Sequence, residues 1–218
     1  FIFLWCLGAQ RKGMVISMIA DQVVHTVERQ LQRLQSLPEH PKRAALAKLR
    51  KGIGRMPGDM PELWGSFLQG MPPELQSRDG TPSRGEWAVY LTLTLFALHQ
   101  QGQERSMNQP GISLGAAVRK LADLDRDKKN KDAEPDESGV FRRFSALLTA
   151  NSAEEISHHL RGIIQLLRRE ALPLDYPMLA RDLYWLQASN SAPRVRLRWG
   201  QDYYIIQDQD KTGKGNTQ

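Results

Sequence analysis

The sequence predicts an all-α fold, a helical bundle protein of two packed helical subdomains joined by loops. Three observations predict it. The stretch from Trp87 to Leu98 carries no charge and is too short to span a membrane, which takes about twenty apolar residues. A segment apolar on every side must be surrounded by other elements. Val89, Leu91, Leu93 and Leu95 alternate as in a strand, but the length and the Ala97–Gln101 ending favour a central helix over Glu86–Gln100. Secondly, apolar residues elsewhere recur at three- and four-residue steps, the helical period. Thirdly, these stretches begin at capping residues and end at Pro or Gly.

The chain of 218 residues has thirty Lys and Arg against twenty-four Asp and Glu, a net charge of +6 and a pI near 9.6. That balance points to a polyanionic partner and, with no long apolar span, away from a membrane. The single Cys6 cannot form an internal disulfide and fits a reducing compartment, so the expected location is cytoplasmic. In FIFLWCLGAQRKG the basic Arg11 and Lys12 follow the apolar run, the reverse of a secretory signal. Residues 1–17 are therefore read as an N-terminal extension, expected to be disordered.

The first helix runs from about Met18 to Leu37, with Val24, Val27, Leu31 and Leu34 on one face and His25 outside it. The second, KRAALAKLRKGIGR, follows Pro41 and carries Lys42, Arg43, Lys48, Arg50, Lys51 and Arg55 without one acid. At about 100° per residue, Leu46, Leu49 and Ile53 share one side, Lys48, Lys51 and Arg55 the opposite side, and Arg43 and Arg50 a flank. A solvated face ordinarily mixes signs, so this one points to phosphate contact. Gly52, Gly54 and Gly58 lack the G-x-G-x-x-G spacing and end the helix. A short helix at Glu62–Leu68 and a loop over Gln69–Arg84 lead to the central helix.

Beyond it, Ser113 caps a helix with Leu114, Val118 and Leu121 inward, and Asp123–Ser138 reads as a charged, mobile linker. Phe141, Phe144, Leu147 and Leu148 then form a buried stripe with Arg142 and Arg143 off it. Ser152 and Glu155 make a capping box for a helix with Ile156, Leu160, Ile163, Ile164 and Leu167 inward and Arg161 and Arg168 outward. Asp175 caps the next helix, with Leu179, Leu183 and Leu186 inward. The last starts near Pro193 and places Arg194 and Arg198 on one flank and Arg196 on the other. The expected division is 18–101 and 102–207, with the linker at 123–138 and a disordered tail at 208–218.

No nucleophile, acid or base stands in a catalytic constellation, and no G-x-S-x-G, Walker or HExxH motif occurs, so no enzyme and no cofactor are expected. Asp123, Asp125, Asp127 and Glu134 mimic a calcium loop. Lys128 occupies the position that needs Gly, and neighbouring cations would repel the ion, so no metal site is expected.

Taken together, Ala44–Leu68, Leu91–Gln100, Gly111–Ala122, Phe141–Ala150 and His158–Leu186 resemble one family: CasB, the small subunit of type I-E CRISPR Cascade surveillance complexes. The resemblance implies an all-helical, non-catalytic subunit present as a pair of copies. Its implied partners are the Cascade backbone and large subunits, a second copy of itself, the crRNA and the single strands of the target DNA. It also implies that Lys48, Arg50, Lys51, Arg142, Arg143, Arg161, Arg194, Arg196 and Arg198 line the nucleic-acid surface; Arg43, Arg55 and Arg168 join them through their places on the basic helix faces. The alternative is a scaffold whose basic residues pair with acids on neighbouring subunits.

Overall fold

A computed structural model describes the backbone of residues 2–129 and 138–212 and the side chains of residues 18–126 and 138–205. Among the described residues, nine α-helices form in chain order: α1 (Ile2–Ser36), α2 (Glu39–Arg50), α3 (Trp64–Phe67), α4 (Arg84–His99), α5 (Leu114–Lys129), α6 (Gly139–Thr149), α7 (Ala153–Arg169), α8 (Tyr176–Leu186) and α9 (Ala192–Thr212). Single 3-10 turns at Pro57–Asp59, Pro61–Leu63 and Pro73–Leu75 fill the Pro-rich segment between α2 and α4. No helix among the described residues is long and apolar enough to cross a membrane.

The central helix is α4. Every residue from Gly85 to His99 is buried, so the alternating apolar pattern is that of a surrounded helix. Its start is set by Ser83, whose Oγ accepts from Glu86 N at 3.0 Å while the Glu86 carboxylate accepts from Ser83 N at 2.8 Å. Around it pack α1, α2, α7 and α8. One apolar cluster runs from Ala20 in α1 to Tyr203 in α9. Helix α1 lies directly on α8, so the two halves of the chain share a core across residue 101. An isolated backbone bridge between Asn108 and Leu174 fastens the loop after α4 to the one before α8.

Three expected boundaries move. Residues 2–17 are helical, continuous with α1, where a disordered extension was expected. Helix α5 continues to Lys129, so the first part of the expected linker is helix. Asp123 accepts from Arg119 Nε at 3.0 Å and lies 3.5 Å from Arg126, pairs that hold this turn at helical spacing. The calcium-like spacing thus begins on a helix; Glu134 lies outside the described residues. Helix α9 reaches Thr212, into the expected tail, and residues 213–218 lie outside the described residues.

His99 closes α4 in a fully buried position, its Nδ1 2.9 Å from the Tyr176 hydroxyl. Burial pulls its pKa down to about 4, against the weaker upward pull of the Leu172 and Leu167 backbone. An unfolded histidine binds its proton near 6.5, so the stability gained from keeping His99 neutral is complete above that pH. It is lost as pH falls from about 6.5 to about 4, at about 1.4 kcal/mol per unit, ~3 kcal/mol in all. Urea midpoints measured at pH 7 and pH 4.5 should show this loss, and His99→Gln should flatten it. Equal slopes in the two proteins would assign the acid sensitivity to other groups.

Candidate nucleic-acid interface

The basic flank of α2 is positioned by its apolar side: Leu46 and Leu49 are buried, and α2 packs on α4. Glu39 in the first turn and Lys48 and Arg50 in the last complement the helix dipole. The helix ends at Arg50, short of the expected Arg55, so Lys51 and Arg55 stand in the turn after it, and not all these cations are equally available. Arg43 Nε donates to Glu39 Oε1 at 2.7 Å, and Lys51 Nζ lies 3.7 Å from Glu62. Both pairs are exposed, where such contacts contribute little. Lys48 and Arg55 are exposed. Arg50 is half-buried, with Nη1 reaching the Ala97 carbonyl at 3.5 Å. Burial and then the nearby Arg168 guanidinium hold its pKa below the ordinary arginine value.

Arg168 comes from α7. Ser152 Oγ accepts from Glu155 N at 3.1 Å and starts that helix, while the Glu155 carboxylate accepts from Asn151 N at 2.8 Å. With Ile156, Leu160, Ile163, Ile164 and Leu167 buried, the stripe His158–Arg161–Gln165–Arg168 is left outward at three- and four-residue steps. Arg168 Nη1 donates to Gln101 Oε1 at 2.8 Å, and Gln103 Nε2 donates to the Arg168 carbonyl at 2.9 Å. The loop after α4 thus fixes the end of this stripe next to α2.

Two depressions mark where the segments meet. One of about 550 Å³ is lined by Lys42, Arg43 and Arg50 with Gln101 and Gln103; Glu39 and Glu104 also line it. The other, of about 230 Å³, brings Arg55 and Tyr90 against His158, with Asp59 and Glu154 nearby. Arg50 and Arg168 therefore stand near each other at one end of α7, and Arg43 shares the first depression with Arg50. Arg55 reaches the other end of α7, and Arg161 lies between on the outward stripe; this basic strip is the α2–α7 groove. Lys42, Gln101 and Gln103 were missed as members. Lys42 stood in the counted run of basic residues, but nothing local marks the two glutamines.

The other expected residues lie elsewhere. Arg142 and Arg143 are exposed on α6, and Arg143 Nη1 donates to the Gly139 carbonyl at 3.0 Å. Arg194 is exposed on α9. Arg196 Nη2 donates to the Ala150 carbonyl at 2.6 Å, tying α9 to the α6–α7 turn. Arg198 pairs with the buried Asp182 carboxylate, which also accepts from Trp199 Nε1 at 2.6 Å. Burial pushes that carboxyl up to about 6, although Arg198 and Trp199 pull it down. Arg196 and Arg198 thus hold internal structural partners.

The sequence model of the family described as CRISPR-associated protein Cse2 matches residues 45–204. The chain belongs to the Cse2 family. CasB from Thermobifida fusca is 32% identical with a TM-score of 0.63, over 85% of this chain and 97% of that one. A Cse2-family CRISPR-associated protein from Thermus thermophilus has a TM-score of 0.61 at 23% identity, over 85% and 97% of the two chains. CasB from M. ruber has a TM-score of 0.58 at 23% identity, over 87% and 98%; these last two share the fold. No curated protein matches the chain in sequence. The resemblance to CasB is therefore borne out, as is the all-α fold. The Cse2 match covers every expected site residue except Arg43. Because Arg196 and Arg198 are held internally, changing both to Gln in this Cse2-family chain should lower stability by roughly 1–3 kcal/mol and leave single-stranded DNA affinity unchanged. Chemical denaturation and a DNA titration of the same samples check this.

Proposed function

We propose that this chain is a non-catalytic Cascade small subunit that holds the sugar-phosphate backbone of single strands in the opened DNA target along the α2–α7 groove. In this reading it works as one of a pair of copies, alongside the Cascade backbone and large subunits. The observation that carries the reading is that Arg50 and Arg168, like charges from separate segments, both reach the end of α4, at the Ala97 carbonyl and at Gln101, near enough for the Arg168 charge to act on Arg50. Such proximity costs free energy in the free protein and is offset when a polyanion lies across both. Arg43, Arg55 and Arg161 extend the groove; Lys48, Lys51, Arg142, Arg143 and Arg194 are outlying contacts.

Phosphate contacts carry no sequence information, which suits a subunit that must serve any guide. Guide–target pairing replaces a DNA duplex of similar stability, so backbone contacts can tip the balance. Binding by the lone chain should be weak and become useful inside an assembly that raises the effective concentration.

Fluorescence anisotropy of labelled single-stranded DNA across a salt series, with two unrelated sequences, tests this. Four neutralised phosphates would give a log K–log salt slope of about −3 and a loss of about 50-fold between 50 and 200 mM salt, equal for both sequences. No binding at low salt would favour the scaffold reading, in which the arginines meet acids on neighbouring subunits.

A further inference from the structure

Helix α1 carries a second basic surface that shares no residue with the α2–α7 groove. Arg29 and Arg33 are one turn apart, and both lean over the loop that follows α3. Arg29 Nη2 donates to the Gly70 carbonyl at 3.0 Å and its Nε to the His25 carbonyl at 3.4 Å. Arg33 Nη1 donates to Gln69 Oε1 at 2.6 Å. Between them Gln30 Nε2 donates to the Gln69 carbonyl at 2.7 Å. All these acceptors are neutral. Each guanidinium has five N–H groups, so several remain for a ligand.

These side chains enclose a depression of about 350 Å³ lined by Thr26, Arg29, Gln30, Arg33, Gln69 and Gly70. Two full positive charges face it and no carboxylate lines it. Like charges one turn apart on a helix repel, and here no counter-charge lines the space they share. The second observation is Thr26. It is only 1% exposed, lines the depression, and its Oγ1 has no hydrogen-bond partner. A buried hydroxyl without a partner is costly.

One kind of ligand answers all of this. A cation is repelled, and a neutral molecule leaves the two guanidinium groups uncompensated. A tetrahedral oxyanion offers acceptors in several directions, to two forks and a hydroxyl at once. We propose that the depression between α1 and the loop after α3 is a phosphate-binding site, formed by Arg29, Arg33 and Thr26 and steadied by Gln30 and Gln69. The phosphate belongs either to a nucleic-acid backbone or to a free anion.

The test is an amide and arginine-Nε NMR titration of the full chain with sodium phosphate, ionic strength held constant with sodium chloride. The expected result is saturable shifts at Thr26, Arg29 and Arg33. Affinity should fall by at least about tenfold in Arg29→Gln/Arg33→Gln and be partly kept in Arg29→Lys/Arg33→Lys. Thr26→Val should weaken binding less. Shifts that chloride alone reproduces, or phosphate affinity unchanged in the double glutamine variant, would overturn the proposal. A twelve-nucleotide oligothymidylate in place of phosphate separates the sources. Saturation of the same signals at lower concentration assigns the site to a nucleic-acid backbone, whereas a response to phosphate alone assigns it to a free anion. The variant Arg50→Gln/Arg168→Gln should keep these shifts, so failure of the α2–α7 groove would not be mistaken for failure here.

Discussion

Reversing both central charges of the groove, Arg50→Glu with Arg168→Glu, is expected to reduce single-stranded DNA affinity by several hundred-fold near 100 mM salt. Each phosphate contact on a single strand contributes about 0.7 to the salt slope, so losing two by neutralisation costs about 25-fold at that salt. Replacing them by carboxylates adds a repulsion of similar size. The neutral pair Arg50→Gln/Arg168→Gln separates these contributions: about 25-fold weaker binding, with the slope less steep by about 1.4. Arg168 is tied to Gln101 and Gln103 at the surface and Arg50 is only half-buried. The glutamine pair removes the repulsion and the glutamate pair only exchanges one like-charge pair for another, so both folds should survive, as circular dichroism would check. Wild-type affinity in a folded double reversal would exclude this groove as the DNA contact.

Gly115→Ala should destabilise the fold by about 2 kcal/mol. Gly115 lies in the first turn of α5, where that helix crosses α9. A Cβ there would stand 2.1 Å from the Trp199 carbonyl oxygen and 2.9 Å from Asp202 Cβ. The first obstacle is backbone in the middle of a helix and cannot swing aside. Alanine's better helix propensity returns only about 1 kcal/mol, while overpacking against a rigid neighbour costs typically 1–3 kcal/mol and sometimes more. With a backbone obstacle the steric cost lies at the upper end of that range and wins, and the melting temperature should drop by roughly 4–8 °C. A melting curve like that of the native chain would mean that α5 and α9 can move apart freely.

Helix boundaries were legible where a local signal marks them. Ser152 and Asp175 cap α7 and α8 as their positions in the sequence suggest, whereas Ser83, which caps α4, lay inside the expected loop. The Asp123–Lys129 stretch was less legible, because its dense charge suggests a solvated linker. The ion pairs of Asp123 with Arg119 and Arg126 exist only once the stretch is helical. Likewise the apolar stripe of α1 showed that a partner is needed without saying that α8 supplies it.

By itself the sequence determined the helical class, the inward face of each amphipathic helix, and the Cse2-family membership carried by several ordered blocks. It also determined that the stretch from Lys42 to Arg55 is basic and free of acids, whereas the folded helix α2 begins earlier and includes Glu39. Only the tertiary structure decided which cations share a surface. Periodicity assigns a side chain to a face in its own helix's frame, but helix packing sets what stands across from that face. Hence Arg50 lies near Arg168, whereas Arg196 and Arg198, equally basic in the sequence, turn toward Ala150 and Asp182. A buried carbonyl or carboxylate must find a donor, and which arginine fills that need depends on the distance between helices, a quantity that no single segment encodes.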